Sequence, residues 1–378
     1  MPQDVELKTG KTPIFQYETS ELDTFEAQFL HASGILKGTF THLDPGEKAT
    51  LAVEILSEEA LHTSEIEGEF LNQDSIQSSI RRFFGLSTDP RRVSPAEYGI
   101  SEMVTHLHRT FQDPLSHEML FEWHAMLTNG RRDLQSIGAY RTHVEPMQII
   151  SGRIYEPTVH YEAPPSARIP DEMDQFVTWW NRTAPMGAAP LPALTRAGIA
   201  HLYFECIHPF EDGNGRIGRT LAEKTLAHSM GHPALLSLSL QIQKNKKAYY
   251  TMLASNSQTL DITSWLVYFA EVVCNAQRYT QAMMVFWVQK SQFYRAAQGK
   301  LNERQEKAIA RIFREGVDGF QGGLSAENYM RITGTSRATA TRDLHDLVEK
   351  SLLLRTGEFK GTRYCVNLSG TPGDTHQR

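Results

Sequence analysis

His208-Pro209-Phe210-Glu211-Asp212-Gly213-Asn214-Gly215-Arg216-Ile217-Gly218-Arg219 places an imidazole, a carboxylate, a glycine-rich run and two arginines in one short stretch. Gly213 and Gly215 let the backbone approach an anion closely. An apolar, helix-compatible stretch follows (Ile217, Leu221, Leu226), so the loop is expected to open a helix whose free N–H groups and positive dipole end face that anion. Arg216 and Arg219, three apart, share one face of this helix. There, two guanidinium forks can grip neighbouring phosphates.

Working outward, the chain has 378 residues, 40% of them hydrophobic and 22% charged, with a net charge of -6. That is the composition of an ordinary globular protein with room for two or three domains. The acidic balance argues against a general nucleic-acid coat, though not against a local basic patch. Cys206, Cys274 and Cys365 are far apart and form no CxxC pair, which reads as reduced thiols in a cytoplasmic protein. Cys206, two residues before His208, reads as a buried helix cysteine and not a nucleophile. The first six residues lack the basic-then-apolar pattern of a signal segment. No apolar run approaches the ~20 residues of a membrane span, so no membrane partner is expected.

Helical periodicity dominates. Apolar spacing predicts helices over about 49–61, 96–111, 117–128, 170–181, 194–206, 215–230, 245–256 and 262–290. Proline-rich linkers run through 163–165 and 185–192. Before residue 350 a single region, 147–161, looks extended. Its two β-prone runs around Ser151-Gly152 predict a hairpin. From about 300 the pattern changes to helices over 301–313, 326–332 and 336–349, with a turn at Gly334. Two short β-prone runs, 352–355 and 363–366, complete a winged-helix pattern. Between Lys300 and Asn367 stand 12 Lys+Arg against 9 Asp+Glu, so this module is mildly basic. DNA contact is one reading of it, and a protein-contact module the other. Residues 368–378 read as a frayed tail.

The His208–Arg219 stretch resembles the signature of the Fic family, His-Pro-Phe-x-Asp/Glu-Gly-Asn-Gly-Arg-x-x-Arg. Every fixed position is met, with Glu211 in the variable slot. Gly138-Ala139-Tyr140-Arg141 and the 147–161 hairpin resemble the family's lead-in and target-positioning flap. Tyr161–Pro165 is similar to the flap's exit, and Asp261–Leu266 to a later core helix. Upstream, Thr63-Ser64-Glu65-Ile66-Glu67-Gly68 fits the inhibitory pattern Ser/Thr-x-x-x-Glu-Gly/Asn of autoinhibited Fic proteins. The stretch from His31 to Phe70 resembles the N-terminal domain of the large bacterial members, which often end in a winged helix.

The resemblance implies a mainly α fold: a Fic-type helical core with a β-hairpin flap, an N-terminal helical domain and a C-terminal winged helix. The expected segments are 1–94 with the inhibitory motif, 95–295 for the catalytic domain, 300–367 for the winged helix and 368–378 for the tail. It implies transfer of AMP from ATP to a Ser, Thr or Tyr hydroxyl of a target protein, itself included. His208 would be the base, since an unperturbed imidazole titrates near ~6.5. Asp212 would hold Mg²⁺, its bland alternative being a helix N-cap. Gly213, Asn214 and Gly215 would form the anion hole, with Asn214 donating to the α-phosphate. Arg216 would hold the β-phosphate and Arg219 the γ-phosphate. Phe210 reads as a buried anchor and Glu211 as exposed. Tyr249 and Tyr250 fall where related proteins cover the adenine, although an aromatic pair on a helix is more often core. Glu67 would pair with Arg219 and misplace the ATP. Two alternatives stay open: removal of AMP by the same site, and a nucleotide-sensing regulator that binds DNA. A homodimer through the N-terminal helices is compatible with the sequence.

Overall fold

The computed structural model describes residues 15–86, 91–145, 147–153, 156–318 and 322–368. Two compact units divide the chain, one extending to Thr280 and the other beginning at Gln281. The first is built from α1 (Asp23–His42), α2 (Pro45–Ile66), α3 (Gln73–Phe83), α4 (Pro95–Thr110) and α5 (His117–Leu127). A hairpin follows, β1 (Gln148–Arg153) and β2 (Glu156–Glu162), then α6 (Ile169–Arg182), α7 (Ala193–Ile207), α8 (Asn214–Met230), α9 (Leu238–Lys244) and α10 (Lys246–Asn256). The long α11 (Thr263–Ala297) crosses the boundary between the units. The architecture is mainly α, as the sequence predicts. Among the described residues no helix is long and apolar enough to cross a membrane.

Helix starts follow local chemistry. Asp44 and Glu47 form a capping box ahead of α2, with Pro45 at the first helical position; Ser94, Glu97 and Pro95 repeat the device at α4. Each satisfies two N–H groups that a helix start leaves without partners. α7 is buried along its whole length, as expected of a helix that is apolar nearly all round. It lies at the centre of the unit. Ala200, Tyr203, Phe204 and Ile207 join Val53, Leu56, Ile100, Trp123 and Trp180 in one core. Leu194, Ala197 and Leu202 join Phe29, Ile66, Leu226, Tyr249 and Trp265 in another. α8 likewise serves both cores, through Leu221 and Leu226. Residues of the expected 1–94 segment therefore share both cores with the central helices, and the boundary at 94/95 does not separate packed units.

Three helices escape a periodicity reading. α1 carries Gly34 and Gly38 in its interior, α3 is rich in Gln and Ser, and α9 has only seven residues. The hairpin departs from expectation in its turn. Ser151 pairs with Thr158 and Gly152 with Pro157, so the Ser-Gly step lies within β1, and pairing continues to Arg153–Glu156. The connection, 154–155, lies outside the described residues.

The second unit contains α12 (Glu303–Arg314), α13 (Ala326–Thr333), α14 (Arg337–Glu349), and an antiparallel pair, β3 (Leu353–Thr356) and β4 (Arg363–Val366). Leu324 bridges to Tyr364. Its own core gathers Ile309, Phe313, Leu324, Tyr329, Leu344, Leu347 and Leu353. The expected tail beyond Leu368 lies outside the described residues.

Gly99 on α4 marks where this packing is tightest: a Cβ there would sit 1.9 Å from the Met126 carbonyl oxygen. Overpacking of this kind costs about 1–3 kcal/mol, so Gly99→Ala should lower the melting temperature by about 2–5 °C in differential scanning fluorimetry. An unchanged midpoint would contradict the close α4–α5 approach.

Candidate active site

The loop between α7 and α8 is held from several sides. α7 ends at His208, whose backbone is left-handed (φ 51°, ψ 59°). Such a conformation costs a non-glycine residue about 1–2 kcal/mol, so its surroundings must impose it. Arg141, itself buried, does much of this. Its Nε donates to the His208 carbonyl at 2.8 Å and its backbone N–H to the Pro209 carbonyl at 2.9 Å. The same guanidinium donates to Ser166 Oγ and the Pro164 carbonyl, tying the hairpin's exit to the loop. Phe210 is fully buried and stacks on His124 at 4.3 Å, the anchor expected of it. Glu211 departs from expectation: it is half-buried, and its carboxylate accepts the Gln135 and Ser136 N–H groups at 2.9 and 3.0 Å.

Asn214 closes the loop. Its Oδ1 accepts from the Phe210 N–H at 2.9 Å and its Nδ2 donates to the Phe210 carbonyl at 2.8 Å. Its Oδ1 and one of its two Nδ2 hydrogens are thus engaged in shaping the loop. The backbone N–H groups of α8's first turn, which have no intrahelical partner, are further donors for an anion. Gly213 caps this helix at φ 84°, and a Cβ there would strike Leu127 at 2.7 Å.

His208 is largely buried. Burial, helped by the nearby Arg141 charge, lowers its pKa to about 4 against the opposing pull of the Glu205 backbone, Glu67 and Asp212. The imidazole is therefore neutral near pH 7 and able to accept a proton. Glu205 Oε2 lies 3.9 Å from its Nδ1, outside hydrogen-bond reach. Asp212 is half-buried. Burial alone would raise its pKa, but the Arg131 hydrogen bond, the Arg216 charge and the Gly213 N–H outweigh this and lower it. Arg131 Nη1 stands 2.6 Å from Asp212 Oδ2, while the rest of its guanidinium holds Asp133. Among the described residues no cluster of acidic, histidine or cysteine side chains forms a complete metal cage. A single ionised carboxylate suits Mg²⁺, which is commonly held by one or two carboxylates plus substrate phosphates and water.

Arg219, 1% exposed in its side chain, lies against the end of α2. Its Nη2 donates to Glu67 Oε1 at 2.8 Å and to the Thr63 carbonyl at 2.9 Å; its Nε donates to Thr63 Oγ1 at 2.8 Å. Burial disfavours the charge, but Glu67 outweighs it and raises the Arg219 pKa. The Glu67 carboxylate sits directly over α8: a Cβ on Gly215 would lie 2.3 Å from Glu67 Oε1. Gly215 thus admits an anion here, and in this structure the anion is Glu67. Gly68 (φ 83°) ends α2 in a Schellman motif, with the Glu69 N–H bonded to the Ser64 carbonyl and the Gly68 N–H to that of Glu65. Glu69 then reaches Arg216, its Oε2 2.6 Å from Nη1.

The tyrosine pair splits. Tyr249 is fully buried, its hydroxyl 2.8 Å from His201 Nε2. It is a core residue with no face for an adenine, which corrects the expectation for it. Tyr250 is 39% exposed and its hydroxyl stands 3.5 Å from Glu67 Oε2. The structure thus brings His208, Asp212, Gly213, Asn214, Gly215, Arg216, Arg219, Glu67 and Tyr250 together. Sequence reasoning missed Thr63, Glu69, Arg131 and the stapling by Arg141. Thr63 was visible as the first letter of the inhibitory pattern. Arg131 lies 81 residues from Asp212, with no local pattern to mark it.

Comparison with known proteins agrees with this geometry. A model of the Fic/DOC family matches residues 114–226, and one of a domain of unknown function (DUF4172) matches residues 9–86. The chain therefore carries a Fic/DOC domain that includes the His208 loop. It is 27% identical over 172 residues to the protein adenylyltransferase fic-1 of Caenorhabditis elegans, a match covering 45% of this chain and 30% of that protein. The matched part thus spans under a third of that relative's length. A Fic family protein from Desulfovibrio desulfuricans has the same fold, with a TM-score of 0.56 at 21% identity, covering 96% of this chain and 100% of that one. A Fic-domain signalling protein from Bacteroides thetaiotaomicron gives a TM-score of 0.50 at 18% identity, over 71% and 98% of the two chains.

Because burial disfavours the imidazolium, His208 should remain neutral well below the ordinary ~6.5 midpoint. In an NMR pH titration its Cε1–H resonance, assigned by its loss in His208→Ala, should hold its neutral position to about pH 5 and move with a midpoint near 4. A midpoint near 6.5 would refute the buried setting.

Proposed function

We propose that the protein is an adenylyltransferase that moves AMP from ATP to a hydroxyl side chain of a target protein, itself included, and that Glu67 holds it in check. One observation carries the reading: a neutral imidazole, a helix N-terminus and two arginines converge on one rigid loop, and a carboxylate already lies on that helix end. The likeness to a relative named as a protein adenylyltransferase supports it.

In this reading the α8 N-terminus receives the α-phosphate, Arg216 the β-phosphate and Arg219 the γ-phosphate. An extended target segment adds to an edge of the β1–β2 hairpin, whose two strands have no further neighbours among the described residues. Strand addition of this kind uses backbone hydrogen bonds and aligns a hydroxyl while leaving side-chain choice loose. The hydroxyl gives its proton to His208 as its oxygen bonds to the α-phosphorus. The bond to the bridging oxygen breaks, and pyrophosphate leaves with the electron pair. Mg²⁺, held by Asp212, would neutralise charge on the phosphates. Arg131 must then release Asp212, and it keeps Asp133 as a partner. Glu67 on Arg219 denies the γ-phosphate its seat, so a nucleotide that enters is misplaced.

Glu67→Gly should raise incorporation of labelled AMP from ATP by about tenfold or more, the equivalent of removing about 1.4 kcal/mol of competition. His208→Ala should reduce incorporation by at least about 100-fold, the scale of a lost general base. Unchanged labelling in Glu67→Gly would sink the inhibitory assignment.

A second activity is favoured by the outer face of α14. We propose that the helices α12–α14 and the β3–β4 hairpin act as a winged helix that contacts duplex DNA. Arg337, Ala338, Thr341, Arg342 and His345 are exposed along α14. Neither arginine is in an ion pair among the described residues; of the acids on α14 before Glu349, Asp343 is buried and Asp346 is paired with Lys350. Such a strip matches a phosphate backbone. In a gel-shift series over salt, the double variant Arg337→Ala/Arg342→Ala should flatten the log K against log salt slope by about 2. No binding by the unaltered protein at low salt would end this reading.

A further inference from the structure

The turn that carries Glu67 delivers a second carboxylate to the phosphate arginines. Gly68 reverses the chain, and the Schellman hydrogen bonds return Glu69 to the side of Glu67. Glu69 Oε2 lies 2.6 Å from Arg216 Nη1, and Asp212 Oδ1 is the next nearest carboxylate oxygen, 3.8 Å from Nη2. Arg216 is 8% exposed in its side chain. Two carboxylates from one turn thus hold two arginines three residues apart on α8. Each guanidinium also keeps a buried donor with no hydrogen-bond partner among the described residues, Arg216 Nε and Arg219 Nη1. A buried donor without an acceptor is costly. A phosphate, with three acceptor oxygens and more charge, can satisfy donors that a single carboxylate leaves over.

We infer that Glu69 is a specificity-determining residue for the nucleotide, competing at Arg216 for the second phosphate as Glu67 competes at Arg219 for the third. The inference rests on the nucleotide reading above and extends it. A nucleoside diphosphate has one carboxylate to displace, a triphosphate two. The resting site therefore favours the diphosphate more strongly than the two arginines alone would. Neutralising Glu69 removes competition met by both nucleotides; neutralising Glu67 removes competition met mainly by the triphosphate. Glu69 is 37% exposed and sits on a turn at the helix end, so its amide isostere has little packing to disturb.

The test is isothermal titration of the full chain, with Mg²⁺ present, using ADP and a non-hydrolysable ATP analogue. Glu69→Gln should tighten both ligands by about fivefold, the equivalent of about 1 kcal/mol. Glu67→Gln should tighten the ATP analogue at least about threefold more than it tightens ADP. Glu69→Asp, which keeps the charge on a shorter arm, should fall between wild type and Glu69→Gln. If Glu69→Gln leaves ADP affinity within twofold of wild type while Glu67→Gln still favours the ATP analogue, the nucleotide reading stands and this inference falls. Failure of every form to bind either nucleotide would overturn both.

Discussion

Arg219 is a permanent charge with almost no access to water, and the site is organised around neutralising it. Taking a guanidinium out of water is expensive unless it is both paired and hydrogen-bonded. Glu59, Glu205 and Glu223 stand close enough to feel its charge. Burial nevertheless pushes all three up, Glu205 to about 8 and Glu223 well above the ordinary range, where the neighbouring Glu59 pushes it further. Glu205 therefore keeps its proton at neutral pH. Glu59 is further engaged by the Ser239 N–H at 2.9 Å. The carboxylate bonded directly to Arg219 is that of Glu67 at the end of α2, with Thr63 supplying two further acceptors. A phosphate arriving at Arg219 would replace one anion by another and would not have to neutralise a bare cation.

The same economy explains the glycines around it. A Cβ on Gly215 would overlap Glu67, and one on Gly218 would come within 2.4 Å of Glu205 Oε1. Both positions bring a carboxyl group onto the face of α8. Gly68 serves a different need, because the Schellman end of α2 requires a left-handed residue there. The short pattern Thr63-x-x-x-Glu67-Gly68 is thus a physical unit. One turn of helix puts Thr63 and Glu67 on the same face, both reach Arg219, and the glycine stops the helix and returns Glu69 to Arg216.

Much of this was legible in the chain. The helical periods of α2 and of the helices from α4 onward other than α9, the glycine loop, the α8 start and the Glu67–Arg219 encounter follow from spacing, glycine placement and the family pattern. What escaped had no one-dimensional signal. α1 contains Gly34 and Gly38, which lower helix propensity, and its place is set by Phe29 and Leu36 meeting the core. Arg131, Arg141 and Glu69 act across long sequence separations or a chain reversal. Glu211 looked like a free surface acid because its partners are backbone N–H groups of a distant loop. Tyr249 and Tyr250 are adjacent in sequence, yet a helix turns consecutive side chains about 100° apart. One faces His201 in the core and the other faces Glu67.

How the 67–70 turn could leave Arg219 is constrained by packing. Leu51, Val53, Ile55, Leu56 and Ile66 of α2 are all buried. Large aliphatic side chains of this kind contribute about 1.5–3 kcal/mol each. Moving α2 as a body would therefore cost as much as, or more than, the about 8 kcal/mol that a micromolar ligand can supply. Nucleotide binding cannot drive that displacement. The turn beyond Glu67 is different: Gly68 is exposed and Phe70 is 81% exposed, so little packing holds it. Glu67 lies at the junction, 31% exposed in its side chain, bound to Arg219 by a charge-assisted hydrogen bond worth about 1.5–3 kcal/mol. That is within what phosphate contacts can outbid. Release by rotation of Glu67 and rearrangement of the 67–70 turn, with α2 remaining in the core, is the course the energies allow.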